Sequence, residues 1–419
     1  MGKVYDIVII GGGAAGLYAA ATLSSLNMEG AGLKVLLLEK MHRCGLKIGI
    51  TGKGRCNLTN TKPWEEFSTH IHPKNIFFKN AFYGMSNTAT MEFFEKMGLP
   101  LVVERGNRVF PESMRATDVV TALERYISRG NVELEKNSPV KEILRMPAED
   151  CNSLPDESMF ILKYGEDRTV RGRKIIIATG GLSYKSTGST GDGYIFAKSM
   201  GHKVTPCFPS LTALRPKDYR EEYYGISLKN VSLQLVVNGD VVQEEFGDLD
   251  FTNGGIEGPI GFKVSRKGVH SLVNGQKVEL VLDMKPAVSQ KQLEDRILRE
   301  VQQVRGDRLK GLLPKLLPQS IIPMFIACNK DLAIGNLPMK LKHWRFSVSG
   351  HVGYERCVVT AGGVHLQEVS QKTMESKLVK GLFFAGEVLD LDGDTGGYNL
   401  QIAFSTGALA ATSAAKATR

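Results

Sequence analysis

Residues 5–26 read YDIVIIGGGAAGLYAAATLSSL, and this stretch decides the fold. Tyr5 to Ile10 is a short apolar run rich in β-branched residues, the pattern of a parallel strand buried on both faces. It runs into Gly11-Gly12-Gly13-Ala14-Ala15-Gly16, which fits G-x-G-x-x-G, and Leu17 to Leu26 continues as an Ala-rich helix. A second apolar run, Lys34 to Leu38, delivers an acid, Glu39. Each part has a physical task. Gly11 permits the tight turn, Gly13 lets backbone approach a pyrophosphate, and Gly16 lets helix and strand pack closely. The helix opening at Ala14 and Ala15 offers unpaired N–H groups and a partial positive charge to phosphate. Glu39 can accept hydrogen bonds from both ribose hydroxyls, and its charge repels a 2′-phosphate. Strand, turn, helix, strand and acid stand in order within one βαβ unit, which predicts a dinucleotide site.

A chain of 419 residues with 42% hydrophobic content predicts two or three domains. It opens directly on a strand, without a basic-then-apolar leader, and has no run of about eighteen apolar residues; a soluble, cytoplasmic protein without membrane contact is expected. The cysteines at 44, 56, 151, 207, 328 and 357 form no C-x-x-C pair, so neither a disulfide framework nor a metal site is signalled. Cys44 and Cys56 share the loop after Glu39, but their spacing does not fit a C-x4-C redox pair, and free thiols are expected. Net charge is +9, unevenly spread. Residues 286–345 hold eleven Lys and Arg against five acids. Such a surplus reads either as ordinary solvated helix faces or as a surface for a polyanion. Lys40 to Lys62 carries six basic residues and no acid, which local anion binding beside the phosphate site explains.

The loop Gly45 to Asn60 (GLKIGITGKGRCNLTN) is too rich in Gly, Asn and Thr to predict a regular element. Residues 74–97 read as helical with an aromatic stripe, taken as core. Val102 to Phe110 reads as a hairpin around Gly106-Asn107, followed by a helix over 115–128 and strands near 132–134, 140–144 and 159–164; residues 147–158 read as a loop. Lys174 to Gly181 (KIIIATGG) repeats the grammar of the N-terminus: an apolar strand ending in small residues, here Ala178, Thr179 and Gly180. Residues 182–193 follow as a Gly/Ser/Thr loop facing the same ligand. Residues 203–285 alternate in short β runs separated by turns such as Asn238-Gly239, predicting an antiparallel β subdomain. Phe251 to Gly261 (FTNGGIEGPIG) reads as a glycine-laden break reaching into an active site. Residues 286–345 read as helical, and β/α character resumes at Phe346.

The last motif selects the cofactor. Gly381 to Glu387 (GLFFAGE) is another buried strand ending in an acid, and a small-residue helix starts near Tyr398 after Gly397. An enzyme binding only a nicotinamide dinucleotide has no need of such an element. In a flavin enzyme the acid, Glu387, can bond ribityl hydroxyls, while N–H groups around Asn399, Leu400 and Gln401 face the pyrimidine edge of the ring, where reduced flavin is negative. Three distant segments closing on one long ligand predict FAD rather than NAD. There is no second G-x-G-x-x-G after a strand, so NAD(P)H is expected only as a transient donor.

The blocks GGGAAG (11–16), TGKGRCNLTN (51–60), ATGGLSY (178–184), STGSTGDGY (186–194), FTNGGIEGP (251–259), VTAGGV (359–364) and AGEVLDLDGDTGGYNLQ (385–401) resemble the BaiN-like/aminoacetone-oxidase-like family of bacterial FAD-dependent oxidoreductases. The resemblance covers nearly the whole chain. It implies an α/β, glutathione-reductase-type FAD-binding (Rossmann-like ββα) domain formed by 1–200 and 346–419. The insert would comprise an antiparallel β-barrel-like subdomain (201–285) and a basic helical subdomain (286–345). It also implies FAD contacts from residues 11–16, Glu39, Lys40, Arg55, Cys56, Asn57, backbone near Val140, Ala178 to Gly180, Gly386, Glu387 and the helix start at 397–401. One departure is Glu257, where a small hydroxyl residue is expected.

The family spans several substrates, all reached by hydride transfer at flavin N5. The first expectation is NAD(P)H-linked reduction of a conjugated C=C bond in a small molecule. Alternatives are an RNA-modifying flavoenzyme that reduces uracil in rRNA and contacts RNA through 286–345, an FAD amine oxidase using oxygen, and a non-catalytic flavin-binding protein. Tyr184, Tyr398 and Asn57 are the candidate proton donors or orienting groups, each weighed against a packed structural role. His202, His351 and His365 are read as structural.

Overall fold

The computed structural model describes residues 3–146 and 159–416. The polar segment 147–158 lies outside them. The chain divides into two compact units, one formed by Met1–Cys207 with Val359–Arg419 and the other by Phe208–Val358.

The first unit is built on the opening stretch. Strand β1 (Val4–Ile10), helix α1 (Ala14–Met28) and β2 (Val35–Leu38) form the βαβ start. Then come α2 (Leu46–Ile50), β3 (Thr59–Asn60), α3 (Trp64–Phe67), β4 (Ile71–His72), α4 (Asn75–Gly84) and α5 (Asn87–Lys96). The hairpin β5 (Leu101–Glu104) and β6 (Arg108–Pro111) leads into α6 (Ala116–Arg129), β7 (Val132–Glu135), β8 (Val140–Arg145), β9 (Phe160–Tyr164), β10 (Arg168–Ile177), α7 (Asp192–Ser199) and β11 (Val204–Ser210). One reading needs correction here: Leu46–Ile50 inside the Gly-rich loop is a short helix, seated by Gly45 in the left-handed region (φ 65°).

The second unit is a closed barrel. Strands β12 (Leu214–Pro216), β13 (Ile226–Val237), β14 (Asp240–Thr252) and β15 (Gly255–Glu257) precede helix α8 (Gly258–Val273) and β16 (Val278–Asp283). Helices α9 (Gln290–Gln302), α10 (Arg308–Leu316), α11 (Ile322–Cys328) and α12 (Leu337–Lys342) come before β17 (Trp344–His351). The barrel order is β12-β15-β14-β13-β16-β17. The glycine-laden break is thus a tight β14–β15 turn that launches a helix. Gly255 (φ 133°) and Gly258 (φ 83°) have left-handed backbone, and a Cβ on Gly255 would lie 2.3 Å from the Leu214 carbonyl. Leu293, Ile297, Leu312, Leu313 and Phe325 of the basic helices share one core with barrel residues Leu233, Leu280 and Trp344, and β17 closes the barrel.

The chain then completes the first unit with β18 (Val359–Val364), β19 (Leu382–Phe384), β20 (Asp392–Gly393) and α13 (Tyr398–Lys416). Strands β7-β2-β1-β10-β9-β8 form the main sheet, with β19 added in parallel to β10. Register puts Glu135, Leu38, Ile10, Ile177 and Phe384 in one row. The next residues along β1, β2, β10 and β19, namely Gly11, Glu39, Ala178 and Ala385, therefore line a single carboxyl edge. Helices α1 and α13 pack closely because small residues meet there: a Cβ on Gly407 would lie 2.5 Å from the Ala15 carbonyl; the turn after β19 also presses on α1, and a Cβ on Gly386 would lie 2.7 Å from the Ala15 methyl.

Candidate active site at the carboxyl edge of the sheet

In open α/β sheets, ligands bind beyond the carboxyl ends of the strands, and the candidate residues converge there. At the β1–α1 turn a Cβ on Gly11 would lie 2.6 Å from the Ala178 carbonyl, and one on Gly16 would lie 1.8 Å from the Gly11 carbonyl. At Gly13 the same atom would meet nothing within 4 Å, and no side chain caps the helix that begins at Ala14. Turn and helix start are thus packed tightly on the inside and open on the outside.

Glu39 is buried at the end of β2. Its Oε2 accepts from the Gly12 N–H at 2.6 Å and its Oε1 from the Met41 N–H at 2.7 Å, leaving each oxygen a further acceptor position. Burial pushes this carboxyl above its usual range, against the pull of those N–H groups and of Lys40. The approach to β8 lies alongside: the Ser138 N–H donates to the Glu39 carbonyl and the Asn137 N–H to the Met41 carbonyl, which brings the start of the Val140 strand beside the acid. Lys40 is paired with Asp192 at 2.7 Å, and Arg55 bonds Glu104 at 3.1 Å while lying over the Phe110 ring.

At the end of β10, the Thr179 hydroxyl is buried without a hydrogen-bond partner. Gly180 follows with φ 73°, and Tyr184 holds φ 53°, a left-handed value that is uncommon for an aromatic residue. At the end of β19 the Glu387 carboxylate is enclosed by donors. Its Oε1 accepts from the Ser183 hydroxyl and the Thr360 N–H, both at 2.8 Å, and its Oε2 from Lys47 at 3.0 Å. Burial alone would raise this carboxyl; the Lys47 charge, with those two bonds, outweighs it and holds Glu387 below its ordinary range.

The start of α13 is braced from several sides. With its amide oriented to suit its neighbours, Asn57 donates to the Thr59 and Val109 carbonyls and accepts from the Gly397 N–H at 3.1 Å. A Cβ on Gly397 would lie 2.4 Å from the Thr59 carbonyl. The Asn399 side chain turns back to Gly393 and Asp394. The Gln401 side chain points into the core, to the Met85 carbonyl and the Thr90 and Ser405 hydroxyls, and its N–H goes to the Gly397 carbonyl. What this turn presents outward is therefore backbone N–H, not those side chains. Tyr398 is buried against His70 and Phe67, and burial, Asp394 and Glu66 push its phenol well above the ordinary value. Cys44 and Cys56 are buried free thiols pushed up to about 12 by burial.

Sequence reading missed two groups. Lys47, Ser183 and Thr360 around Glu387 come from three separate segments. His70 and His72 both bond Asp394, at 2.8 and 3.1 Å. Burial would raise the Asp394 carboxyl, but the bonds from the two histidines outweigh it and hold the group down at about 2. His202 bonds the Ser376 hydroxyl at 2.7 Å, His351 accepts from the Gly353 N–H at 3.0 Å, and His365 lies 3.4 Å from the Thr205 hydroxyl. Among the described residues no group of His, Cys, Asp and Glu is placed to hold a metal, and no helix is long and apolar enough to cross a membrane.

Residues 5–413 match the model of the HI0933-like protein Rossmann domain. The chain belongs to that family, the BaiN-like flavoprotein oxidoreductases. It is an FAD-dependent oxidoreductase. The chain is 30% identical over 421 residues to a 3-dehydro-bile acid delta(4,6)-reductase of Clostridium scindens, covering 98% of this chain and 99% of that one. It is also 30% identical to a ribosomal RNA dihydrouridine synthase of Haemophilus influenzae, over 97% of each. In fold it is similar to the 3-ketosteroid-delta4-(5alpha)-dehydrogenase of Rhodococcus jostii, with a TM-score of 0.52 at 14% identity, covering 99% of this chain and 97% of that one.

Proposed function

We propose that this chain reduces a C=C bond conjugated to a carbonyl, using FAD held at the carboxyl edge and a nicotinamide dinucleotide as transient electron donor. The observation that carries the reading is the convergence at that edge: an uncapped helix start open at Gly13, a buried acid with acceptor positions to spare at Glu39, and an unpartnered buried hydroxyl at Thr179. These fit an elongated dinucleotide. Bound there, FAD supplies hydride transfer at its N5.

The chain's own residues do the rest. Gly11, Gly13, Ala14, Ala15 and Gly16 hold the pyrophosphate through backbone and helix dipole. Glu39 orders the ribose, and backbone near Val140 meets the adenine. Ala178, Thr179, Gly180, Gly386 and Glu387 line the middle, with Lys40, Arg55 and Cys56 supporting the loop around it. Asn399 and Leu400 present first-turn N–H groups to developing negative charge, while Gly397 and Gln401, whose N–H groups go to Asn57 and to the Gly397 carbonyl, fix the turn that carries them. Asn57 positions that turn. Tyr398, as a phenol kept protonated by its surroundings, and Tyr184 remain the candidates to deliver a proton to the substrate carbon next to the carbonyl.

Two relatives support the bond type. A bile-acid delta(4,6)-reductase and a dihydrouridine synthase both carry names that denote saturation of a C=C bond conjugated to a carbonyl. A specific feature favours an RNA substrate as the second reading. Lys291, Arg299, Arg305, Arg308 and Lys330 are exposed on the helical part of the second unit. Anaerobic reduction by NADH or NADPH, followed by reoxidation with a steroid enone or with uracil-containing RNA, tests both. Rapid reoxidation by the enone supports the first reading; by RNA, with affinity falling steeply with salt, the second. Hydrogen peroxide formed from small amines without a nicotinamide donor points to an amine oxidase. No turnover with any donor–acceptor pair points to a non-catalytic flavin carrier.

A further inference from the structure

This inference rests on the flavin reading above and concerns His70, His72 and Asp394. The two histidines flank Ile71, and β4 pairs with β20 so that His72 lies opposite Asp392 and Ile71 opposite Gly393. The Asp394 N–H donates to the His70 carbonyl at 2.9 Å. This pairing places the Asp394 carboxylate between the rings: His70 Nδ1 lies 2.8 Å from Oδ2 and His72 Nε2 lies 3.1 Å from Oδ1.

The tautomer of His70 follows from its other side. Lys62 Nζ lies 3.3 Å from His70 Nε2, and an ammonium has donors only. Nε2 is therefore the acceptor, and the neutral ring carries its proton on Nδ1, toward Asp394. The His70 ring stacks on Tyr398, the first residue of α13, with centroids 4.4 Å apart. His72 has the more exposed side chain, 31% against 20% for His70. The other titratable groups facing the cluster are Tyr398 from α13, Lys62 from the segment after β3, and Glu66 from α3, which pairs with Lys62 at 3.6 Å.

We propose that His72, with Asp394 as counter-ion and His70 as the ring that positions it, is a proton store for the flavin site. His72 takes a proton from solvent when negative charge develops at the start of α13, and returns it when that charge leaves. Negative charge nearby favours the charged form of an imidazole. Asp394 stays ionised, so it orients and balances the proton without taking it. Only an N–H bond forms and breaks in the store. The electrons come from the nicotinamide-type donor of the proposed reaction, and the proton from water.

The test counts protons. FAD-loaded protein is photoreduced in weak buffer with a pH indicator between about pH 6 and 8, and the bound flavin's potential is measured across the same range. In His72→Gln and Asp394→Asn, uptake per flavin should fall by up to one proton, and the potential should lose part of its pH slope, with FAD content unchanged. His72→Gln alters a partly exposed ring and keeps the test readable where Asp394→Asn fails to fold. Uptake and slope equal to wild type in His72→Gln overturn the store. Wild-type protein that binds no FAD sinks the flavin reading instead. The histidine arrangement is then decided by ring ¹⁵N spectra of the ligand-free chain, where an Nε2–H tautomer at His70 would overturn it.

Discussion

Glu39 and Glu387 end two parallel strands at the same sheet edge, both within the protein, yet burial wins at one and loses at the other. Glu39 receives only backbone N–H groups and a Lys40 whose charge is spent on Asp192, so its carboxyl is raised. Glu387 receives the Lys47 ammonium as well as a hydroxyl and an N–H, so its carboxyl is lowered. Neutral dipoles soften the cost of burying a carboxylate, and a cation reverses it. The β2 end of the edge therefore keeps an acid with acceptor capacity to offer a ligand. The α13 end keeps fixed charge.

The harshest break is at the shared frame. Gly16→Ala places a Cβ 1.8 Å from the Gly11 carbonyl and should cost about 3 kcal/mol or more, with loss of bound flavin. Thermal denaturation and absorbance of the purified protein check it. Next comes Lys47→Met, which leaves the half-buried Glu387 carboxylate without its cation and should cost about 2–3 kcal/mol at neutral pH. Adding Glu387→Gln should recover much of that loss, and denaturant titration of the double-mutant cycle measures the coupling.

Asp394→Asn should cost roughly 2 kcal/mol at neutral pH, from the drop of its carboxyl from 3.8 to about 2. The sign is that of a lowered acid: its contribution is full above the unfolded value and vanishes as pH falls through about 2. Wild type and variant should therefore converge between these two values in urea titrations. Glu39 has the opposite sign. Its raised carboxyl favours the folded state at acid pH, and that contribution is lost as pH rises from the unfolded value of 4.5 through the folded one. Glu39→Gln should remove this slope from the ligand-free protein and weaken FAD binding about tenfold, read by fluorescence quenching.

The β2 end was legible because its information is local. Residues 5–39 carry strand, turn, helix, strand and acid without interruption, and β1, α1 and β2 follow that order within a residue or two at most boundaries. The α13 end was legible only in its backbone. The strand before Glu387 and the helix after Gly397 stand out in sequence, but the partners of Glu387 come from positions 47, 183 and 360. His70 and Asp394 are 324 positions apart, and the aspartate sits among Asp390 and Asp392 in a loop that gives no hint which one meets the histidines. Only the pairing of two-residue strands β4 and β20 selects it. Helix α8 was missed for another reason. The turn-like run Asn253-Gly254-Gly255 with Gly258-Pro259 masks a helix whose proline stands in its first turn, where it is tolerated.

The division of the chain has a consequence for its birth on the ribosome. The barrel and its helices are contiguous, so this middle portion can finish folding while the segment after Val358 is still being synthesised. The sheet around the opening stretch waits for β19 and α13, which follow the insert in the chain. Completion of the carboxyl edge is thereby tied to elements made after the insert.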